Sequence, residues 1–433
     1  MVFTQSTPFK LFRGFALPVS RQRVTTAGLA ASLALAFLCQ AALAGHRGGQ
    51  TRTQAVARRG TAPTFAELSK RADAARLSGR LEEAIGLYFQ ALKMRPSFDD
   101  GWWYLGTLLY DRDRYEPARD AFKVLVSHLP DRGSAYAMLG LCEFQTREYE
   151  NALAHLEEGR KFGLAANEDL IAVARYHVGI LLTRFERYDD GREALAGLAR
   201  RPETPSLIEA FGLNALRMPI LPSEIQPDQR ELVLAAGRAA YHAAGLRSTD
   251  AKAALDRLIA AYPKTPWVHY LYGTFLLSEK PDQALEEFRH ELEISPNNFM
   301  ADLQIAFEYL KRTDYKAAQP FAEKALSLAP ESPAPHDMLG KILVEDGDLD
   351  RGIGELELAA KIAPNSAQVH FSLAHAYARK GRKEDAARER AAFLKLDAER
   401  QAASLHGGSE SVGAGVVAPS SASEKPQDKP REE

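Results

Sequence analysis

Three histidines recur in similar sequence settings and are the first candidates for chemistry. They are His269 in VHYLYG, His336 in PHDMLG and His370 in VHFSLA. Neutral imidazole is the commonest metal ligand in proteins and a frequent general base. The last two are 34 residues apart, so each side chain belongs to a different copy of one unit and the three cannot share a metal. The pattern favours a packing or capping role in each copy, and we expect no metal site.

Catalytic motifs are absent from the chain. It has no GxxxxGK[ST] phosphate loop, no GxSxG elbow, no HExxH, no CxxC and no glycine-rich dinucleotide turn. Paired carboxylates such as Glu157 with Glu158, or Glu286 with Glu287, fall on the polar side of amphipathic segments and are expected to be solvated. We therefore expect no enzyme activity, no catalytic residue and no cofactor.

The elements that position these residues repeat with a period of 34. Windows place a small residue at position 8, Ala at 20, an aromatic residue or Leu at 24 and Pro at 32. Each window divides into two amphipathic helices with a turn near position 15, where Gly79, Gly347 and Gly381 can adopt left-handed geometry. Neither helix can bury its apolar stripe alone, so neighbouring pairs must stack. About nine copies start at Phe65, Asp99, Gly133, Ala172, Leu232, Pro266, Phe299, Pro333 and Ala367.

This pattern resembles the tetratricopeptide repeat. The stretch WWYLGTLLY, followed by Ala118, Phe122 and Pro130, matches its W-x2-L-G-x2-Y…Ala…Phe…Pro signature closely. The resemblance implies an all-α fold, a right-handed α-solenoid of stacked antiparallel helix pairs. It also implies a non-enzymatic scaffold that binds a protein or peptide ligand in a concave groove.

Composition shifts predict the domain organisation. We expect a signal peptide or membrane anchor over 1–44, a disordered linker over 45–63, an amino-terminal array over 64–217, a Pro-rich junction over 218–227, a carboxy-terminal array with a polar capping helix over 228–402, and a disordered tail over 403–433. The junction carries Pro219, Pro222 and Pro227 and cannot be one continuous helix.

The first 44 residues indicate export. No charge occurs between Arg23 and His46, and the apolar segment ends in the small-x-small pattern Ala42-Leu43-Ala44. Cleavage there gives a periplasmic or extracellular protein. Two alternatives stay open: residues 24–44 remain as an inner-membrane anchor, or the acid-free start is an organelle transit peptide. Cleavage leaves Cys142 as the only cysteine and a more acidic chain, which does not favour nucleic acid.

The resemblance also implies which side chains line the groove, namely positions 2, 5, 9, 12 and 13 of each first helix. The candidates are Trp103, Thr107, Tyr110, Phe144, Trp267, Tyr270, Met300, Phe307, Phe371 and His375. These are mostly aromatic or apolar, and large aromatic rings dominate binding hot spots. A competing interpretation is that such residues pack between repeats; we favour it for Leu141, Phe307 and Leu310. The carboxylate clamp of chaperone adaptors is disfavoured, because Trp103 and Thr107 replace its Lys and Asn.

The two adjacent tryptophans of DDGWWYLG occupy different positions of the repeat and are expected to have different roles. Trp102 falls at position 4 and is expected in the core, where truncation to Ala should cost about 3–5 kcal/mol. Trp103 falls at position 5, where the groove begins.

Function is predicted as an interaction scaffold in assembly or maintenance of the cell envelope. The alternatives are a substrate-recruiting accessory subunit of an envelope enzyme complex and a self-assembling structural protein that binds its own copies through the groove.

Overall fold

The computed structural model describes residues 62–164 and 167–406, and within these ranges the chain forms α-helices and no strand. The predicted signal or anchor over 1–44 lies outside the described residues, as do most of the linker and nearly all of the tail. The helices are α1 Phe65–Leu77, α2 Leu81–Met94, α3 Asp99–Tyr110, α4 Tyr115–His128, α5 Gly133–Gln145, α6 Tyr149–Phe162, α7 Glu168–Arg184, α8 Tyr188–Ala196, α9 Pro205–Ala215, α10 Arg230–Ala244, α11 Ser248–Ala261, α12 Val268–Leu276, α13 Pro281–Ile294, α14 Phe299–Lys311, α15 Tyr315–Leu328, α16 Pro333–Asp346, α17 Leu349–Ile362, α18 Ala367–Arg379 and α19 Lys383–His406.

Small residues at positions 8 and 20 bring the two helices of each repeat together. Ala72 of α1 and Ala84 of α2 have no exposed surface. In the α5–α6 pair, a Cβ added at Gly140 would lie 2.8 Å from the carbonyl oxygen of Ala152. The all-α architecture of paired antiparallel helices is therefore confirmed.

The turn inside most repeats uses a left-handed residue at position 15, whereas the turn between α12 and α13 does not, since Lys280 there has φ −139°. Gly79, Gly347 and Gly381 have φ values of 75°, 102° and 79°. Most copies without glycine adopt the same conformation with Asp113, Arg147, Glu186, Leu246 and Thr313. The fold therefore imposes this geometry even where an L side chain has to bear its strain.

The chain divides into two compact units, one up to Ala121 and one from Phe122. The first contains α1–α3 and the start of α4. Phe65 of α1 meets Phe98, the residue before α3, edge to face at 5.2 Å, and Tyr88 of α2 stacks on Tyr104 of α3 at 5.8 Å.

In the second unit the first helices of successive repeats lie side by side. This first-helix layer places α5 against α7, α10 against α12, and α16 against both α14 and α18. Helix α9 is an addition to the repeat frame and packs against α7 and α10. A Cβ at Gly212 would lie 2.0 Å from the Val233 carbonyl oxygen, and one at Gly237 equally close to that of Ile208, so α9 and α10 touch through their backbones.

The segment between α9 and α10 is packed rather than extended into solvent. It leaves α9 after Ala215 and contains one short 3-10 turn, Pro222–Glu224. Leu216 and Ile225 are buried in one apolar cluster with Val233, Leu258 and Val268. The Pro-rich run is thus no continuous helix, as expected, and it contributes to the core of the second unit.

Two further features concern single elements. Cys142, on α5, is buried. Among helices within 62–164 and 167–406, none has both the length and the low charge that a membrane-crossing segment needs.

Candidate partner-binding surface

In the first unit, three of the predicted groove residues lie on α3. Trp103 and Tyr110 are half-buried, and Tyr110 makes an edge-to-face contact with Tyr115 at 5.3 Å. Thr107 is only 4% exposed, and its hydroxyl donates to the carbonyl oxygens of Trp103 and Tyr104, both at 3.0 Å. Thr107 therefore offers a partner almost no surface, whereas the two rings beside it retain some.

In the second unit, Phe144, Met300 and Phe307 are half-buried. The Phe144 ring packs against Tyr149 at 5.6 Å and His177 at 4.6 Å, so much of it serves the packing between repeats. The Lys311 ammonium lies 5.6 Å from the Phe307 ring centre. Leu141, which we assigned to the core, is fully buried, while Leu310 and Phe307 are only partly so.

The two predicted residues on α18 are the most accessible. Phe371 is 52% exposed and contacts Phe393 of α19 at 5.4 Å. The exposed His375 ring has its Nε2 3.0 Å from Glu345 Oε1, and Arg379 donates to the other oxygen of the same carboxylate at 2.9 Å. The sequence frame did not indicate Glu345 and Arg379 as neighbours of this site.

Trp267 and Tyr270 are brought together by the structure. Both are half-buried, and their rings meet edge to face at 5.4 Å. The Arg217 guanidinium lies 4.6 Å from the Trp267 ring and 5.0 Å from the Tyr188 ring. Sequence reasoning missed Arg217 and Tyr188, because one follows α9 and the other starts α8, neither at a groove position of the repeat.

A buried carboxylate fixes the backbone beneath this aromatic pair. Glu291 of α13 has no exposed surface. Its Oε1 accepts from the Trp267 N–H at 2.8 Å and from Asn298 Nδ2 at 3.2 Å, and its Oε2 accepts from the Tyr270 N–H at 3.2 Å. Glu291 thus satisfies backbone donors at the start of α12 that have no partner within the helix.

The three recurrent histidines have a structural role in each copy. Each directs Nε2 toward the carbonyl oxygen six residues earlier and Nδ1 toward a glutamate of the second helix. The pairs are His269 with Pro263 and Glu287, His336 with Pro330 and Glu355, and His370 with Pro364 and Glu389, at 2.6–3.0 Å. No group of three or more potential metal-binding side chains gathers anywhere in the described part of the chain.

Trp102 makes the same link at position 4. Its indole Nε1 donates to the carbonyl oxygen of Pro96 at 2.7 Å. We expected this ring to be enclosed in the core, but it is only half-buried. The predicted loss of 3–5 kcal/mol on truncation is therefore too large, because part of the ring already contacts solvent.

The chain matches a curated relative, the anaphase-promoting complex subunit 3 of Schizosaccharomyces pombe, with 35% identity over 99 residues. That region is 23% of this chain and 15% of the relative, so the chain spans a small part of the relative's length.

The solved structures that match part of this chain include MamA from Desulfovibrio magneticus RS-1. That structure, beginning at its residue 41, has 23% identity, covers 39% of this chain and 97% of its own, and gives a TM-score of 0.36. Another MamA crystal structure has 16% identity over 40% of this chain and 94% of its own, with a TM-score of 0.34.

Family models described as tetratricopeptide repeat match residues 69–127, 105–169, 233–265 and 309–370. These residues include most of α10 and all of α11. The chain therefore contains tetratricopeptide repeats in both of its compact units.

Proposed function

We propose that the protein is a non-enzymatic interaction scaffold that binds a peptide segment or a partner protein through aromatic residues of its first helices. Tetratricopeptide repeats are generally protein-binding modules, which supports the coarse assignment. The observation that carries the finer one is the pair Trp267 and Tyr270, two large rings with surface left for a partner and with their backbone held by the buried Glu291. Rigid amphipathic rings bind partners at low cost in conformational entropy.

The surface has a separate part in each unit. Trp103 and Tyr110 supply it in the first, and Trp267, Tyr270, Met300, Phe307, Phe371 and His375 supply it in the second. Phe144 belongs to it only marginally, since its ring contacts Tyr149 and His177. Each unit can therefore be tested by its own variant.

We also propose that the protein acts outside the cytoplasm, in assembly or maintenance of the cell envelope. This rests on the apolar segment and Ala42-Leu43-Ala44 in the sequence. If this proposal is right, mass spectrometry of the protein from its native source will show a mature chain that starts at Gly45. A chain that begins near Met1 would favour an anchor over residues 24–44.

Affinity capture tests the binding surface. The Trp103→Ala and Tyr270→Ala variants should recover less of the partners that the wild-type chain retains. Trp103→Ala should affect partners that bind the first unit, and Tyr270→Ala those that bind the second. The matched controls are Phe89→Ala and Leu358→Ala, which remove exposed apolar side chains from second helices of the same units. Equal recovery with all four variants would overturn the assignment of the surface to the first helices.

A further inference from the structure

We infer that Tyr188, Arg217, Trp267 and Tyr270, called here the Arg217 cluster, form an anchoring site for a carboxylate side chain of an acidic peptide segment. This inference rests on the proposed function, because it names the chemistry of the partner at that surface. The four residues come from three elements: Tyr188 from α8, Arg217 from the segment after α9, and the other two from the start of α12.

Aromatic rings contact the guanidinium of Arg217, with centres at 4.6 Å for Trp267 and 5.0 Å for Tyr188. The Tyr188 hydroxyl also donates to the Arg217 carbonyl oxygen at 3.0 Å, which fixes the backbone that carries the guanidinium. A guanidinium whose faces stack on rings keeps its N–H donors in its own plane, where they match a carboxylate in two parallel hydrogen bonds.

Within the described chain, Arg217 is weakly paired. Its nearest ionic partner is Asp189, with Nη2 to Oδ1 at 3.9 Å, beyond hydrogen-bond length. The Arg217 side chain is 17% exposed, so a ligand can reach part of it, and the Asp189 side chain is largely exposed. The Nε of Arg192 lies 4.0 Å from the same Asp189 oxygen and adds a second cation. Among the described residues the Arg217 guanidinium has no ionic partner nearer than Asp189, so its N–H donors remain available to an incoming carboxylate.

The backbone of both contacting residues lies in the left-handed region. Arg217 has φ 50° and Trp267 has φ 71°. Arg217 closes α9, where the Met218 N–H donates to the Leu213 carbonyl oxygen at 2.9 Å, and glycine is the residue that such a helix end favours. A bulky residue at positive φ is uncommon and persists where the surroundings hold it. The chain therefore tolerates backbone strain at Arg217 and Trp267, the two residues whose side chains form the contact between guanidinium and indole.

The environment of Tyr270 extends the site toward α14. Burial raises the pKa of the Tyr270 hydroxyl, and Arg217 and Gln304 act in the opposite direction. The neutral phenol is therefore the form present near pH 7, and its O–H can donate a hydrogen bond to a carboxylate bound at Arg217. An apolar peptide would instead desolvate the guanidinium without supplying an acceptor.

Fluorescence anisotropy with defined probes tests the inference on the full chain. The first probe is a labelled dodecapeptide that alternates glutamate with phenylalanine and alanine. The second has glutamine at every glutamate, and the third is a labelled dodecathymidylate, which presents phosphates in place of carboxylates. We expect the glutamate peptide to bind at least about tenfold more tightly than the glutamine peptide, the effect of one charge-assisted bidentate pair.

Arg217→Gly separates binding from folding. This substitution should weaken the affinity for the glutamate peptide about tenfold or more and leave the affinity for the glutamine peptide unchanged. The midpoint of thermal unfolding should not change, because glycine accepts the positive φ. Arg217→Lys should recover only part of the affinity, since lysine lacks the planar fork. The control is Arg257→Met, which removes an exposed arginine of α11 and should change neither affinity.

Equal affinity for the two peptides, no binding of either, tighter binding of the oligothymidylate, or undiminished binding by Arg217→Gly would each overturn the inference. If partner capture still depends on Tyr270 in that case, the scaffold function stands and only the acidic chemistry fails. If capture is also independent of Tyr270, both fail.

Discussion

The indole Nε1 of Trp102 donates to the carbonyl oxygen of Pro96 at 2.7 Å, and this contact ties the turn that precedes α3 to the helix itself. Three later copies make the same link to a proline carbonyl with a histidine ring at the same repeat position. A ring N–H at position 4 is thus a recurrent hydrogen-bond donor to the connection between repeats.

The link at Trp102 predicts a modest stability effect. Trp102→Phe keeps a ring but removes the donor, and we expect a loss of about 0.5–1.5 kcal/mol in the free energy of unfolding. The loss stays small because Pro96 is exposed and water can replace the indole. Urea denaturation checks it, with Trp103→Phe as the control that leaves position 4 intact. A loss above about 3 kcal/mol would show that the ring acts mainly through packing.

The His269 pair predicts a dependence of stability on pH. The hydrogen bond to Glu287 holds the pKa of His269 above its ordinary value of 6.5, and burial opposes it. A histidine whose pKa is raised in the folded state contributes its full stabilisation at pH values below the pKa of the unfolded chain. That stabilisation is lost as the pH rises through the pKa of the folded state. The free energy of unfolding should therefore fall between pH 6.5 and alkaline pH.

Glu287→Gln isolates this contribution, because glutamine does not stabilise the imidazolium. The difference in unfolding free energy between wild type and this variant should shrink as pH rises above 6.5. Glu293→Gln is the control, since its side chain is 75% exposed beside His290. A difference that is constant with pH would contradict the assignment.

The contact between α9 and α10 predicts opposite effects of two glycine substitutions. Gly212→Ala places a Cβ 2.0 Å from a carbonyl oxygen, so the helices must separate, and we expect a loss of about 1–3 kcal/mol. Gly354→Ala in α17 meets nothing within 4 Å and should stabilise by about 0.5–1 kcal/mol through helix propensity. Thermal unfolding measures both. A Gly212→Ala variant as stable as wild type would mean that α9 is not held against α10.

The cap on α12 predicts that Glu291 supports the binding surface indirectly. Glu291→Ala removes the acceptor for the Trp267 and Tyr270 N–H groups and should cost about 2–4 kcal/mol. The near-ultraviolet circular dichroism of the aromatic residues should change as well, because the left-handed geometry of Trp267 loses its restraint. Glu293→Ala, on the same helix but exposed, should change neither signal. Unaltered dichroism in Glu291→Ala would show that packing alone holds the indole.

Much of the fold follows from the repeat frame, since a 34-residue period fixes helix pairs, turns and their left-handed residues together. The histidine–glutamate pairs were also within reach of the sequence, because Glu355 and Glu389 each follow their histidine by 19 residues. The Arg217 cluster was not, because α9 falls outside the period and positive φ at Arg217 and Trp267 has no sequence signal comparable to glycine. Thr107 occupies a predicted groove position in the sequence, but its side chain is small and lies buried beneath the neighbouring side chains.

Site-specific photo-cross-linking tests the central claim, that partners bind through aromatic residues of the first helices. A photoreactive phenylalanine analogue replaces Tyr270 in one chain and Leu358, an exposed residue of the second helix α17, in another. We predict that irradiation of each chain with its captured partner joins the partner to position 270 and not to position 358. Equal cross-linking at both positions, or cross-linking at 358 alone, would contradict the claim.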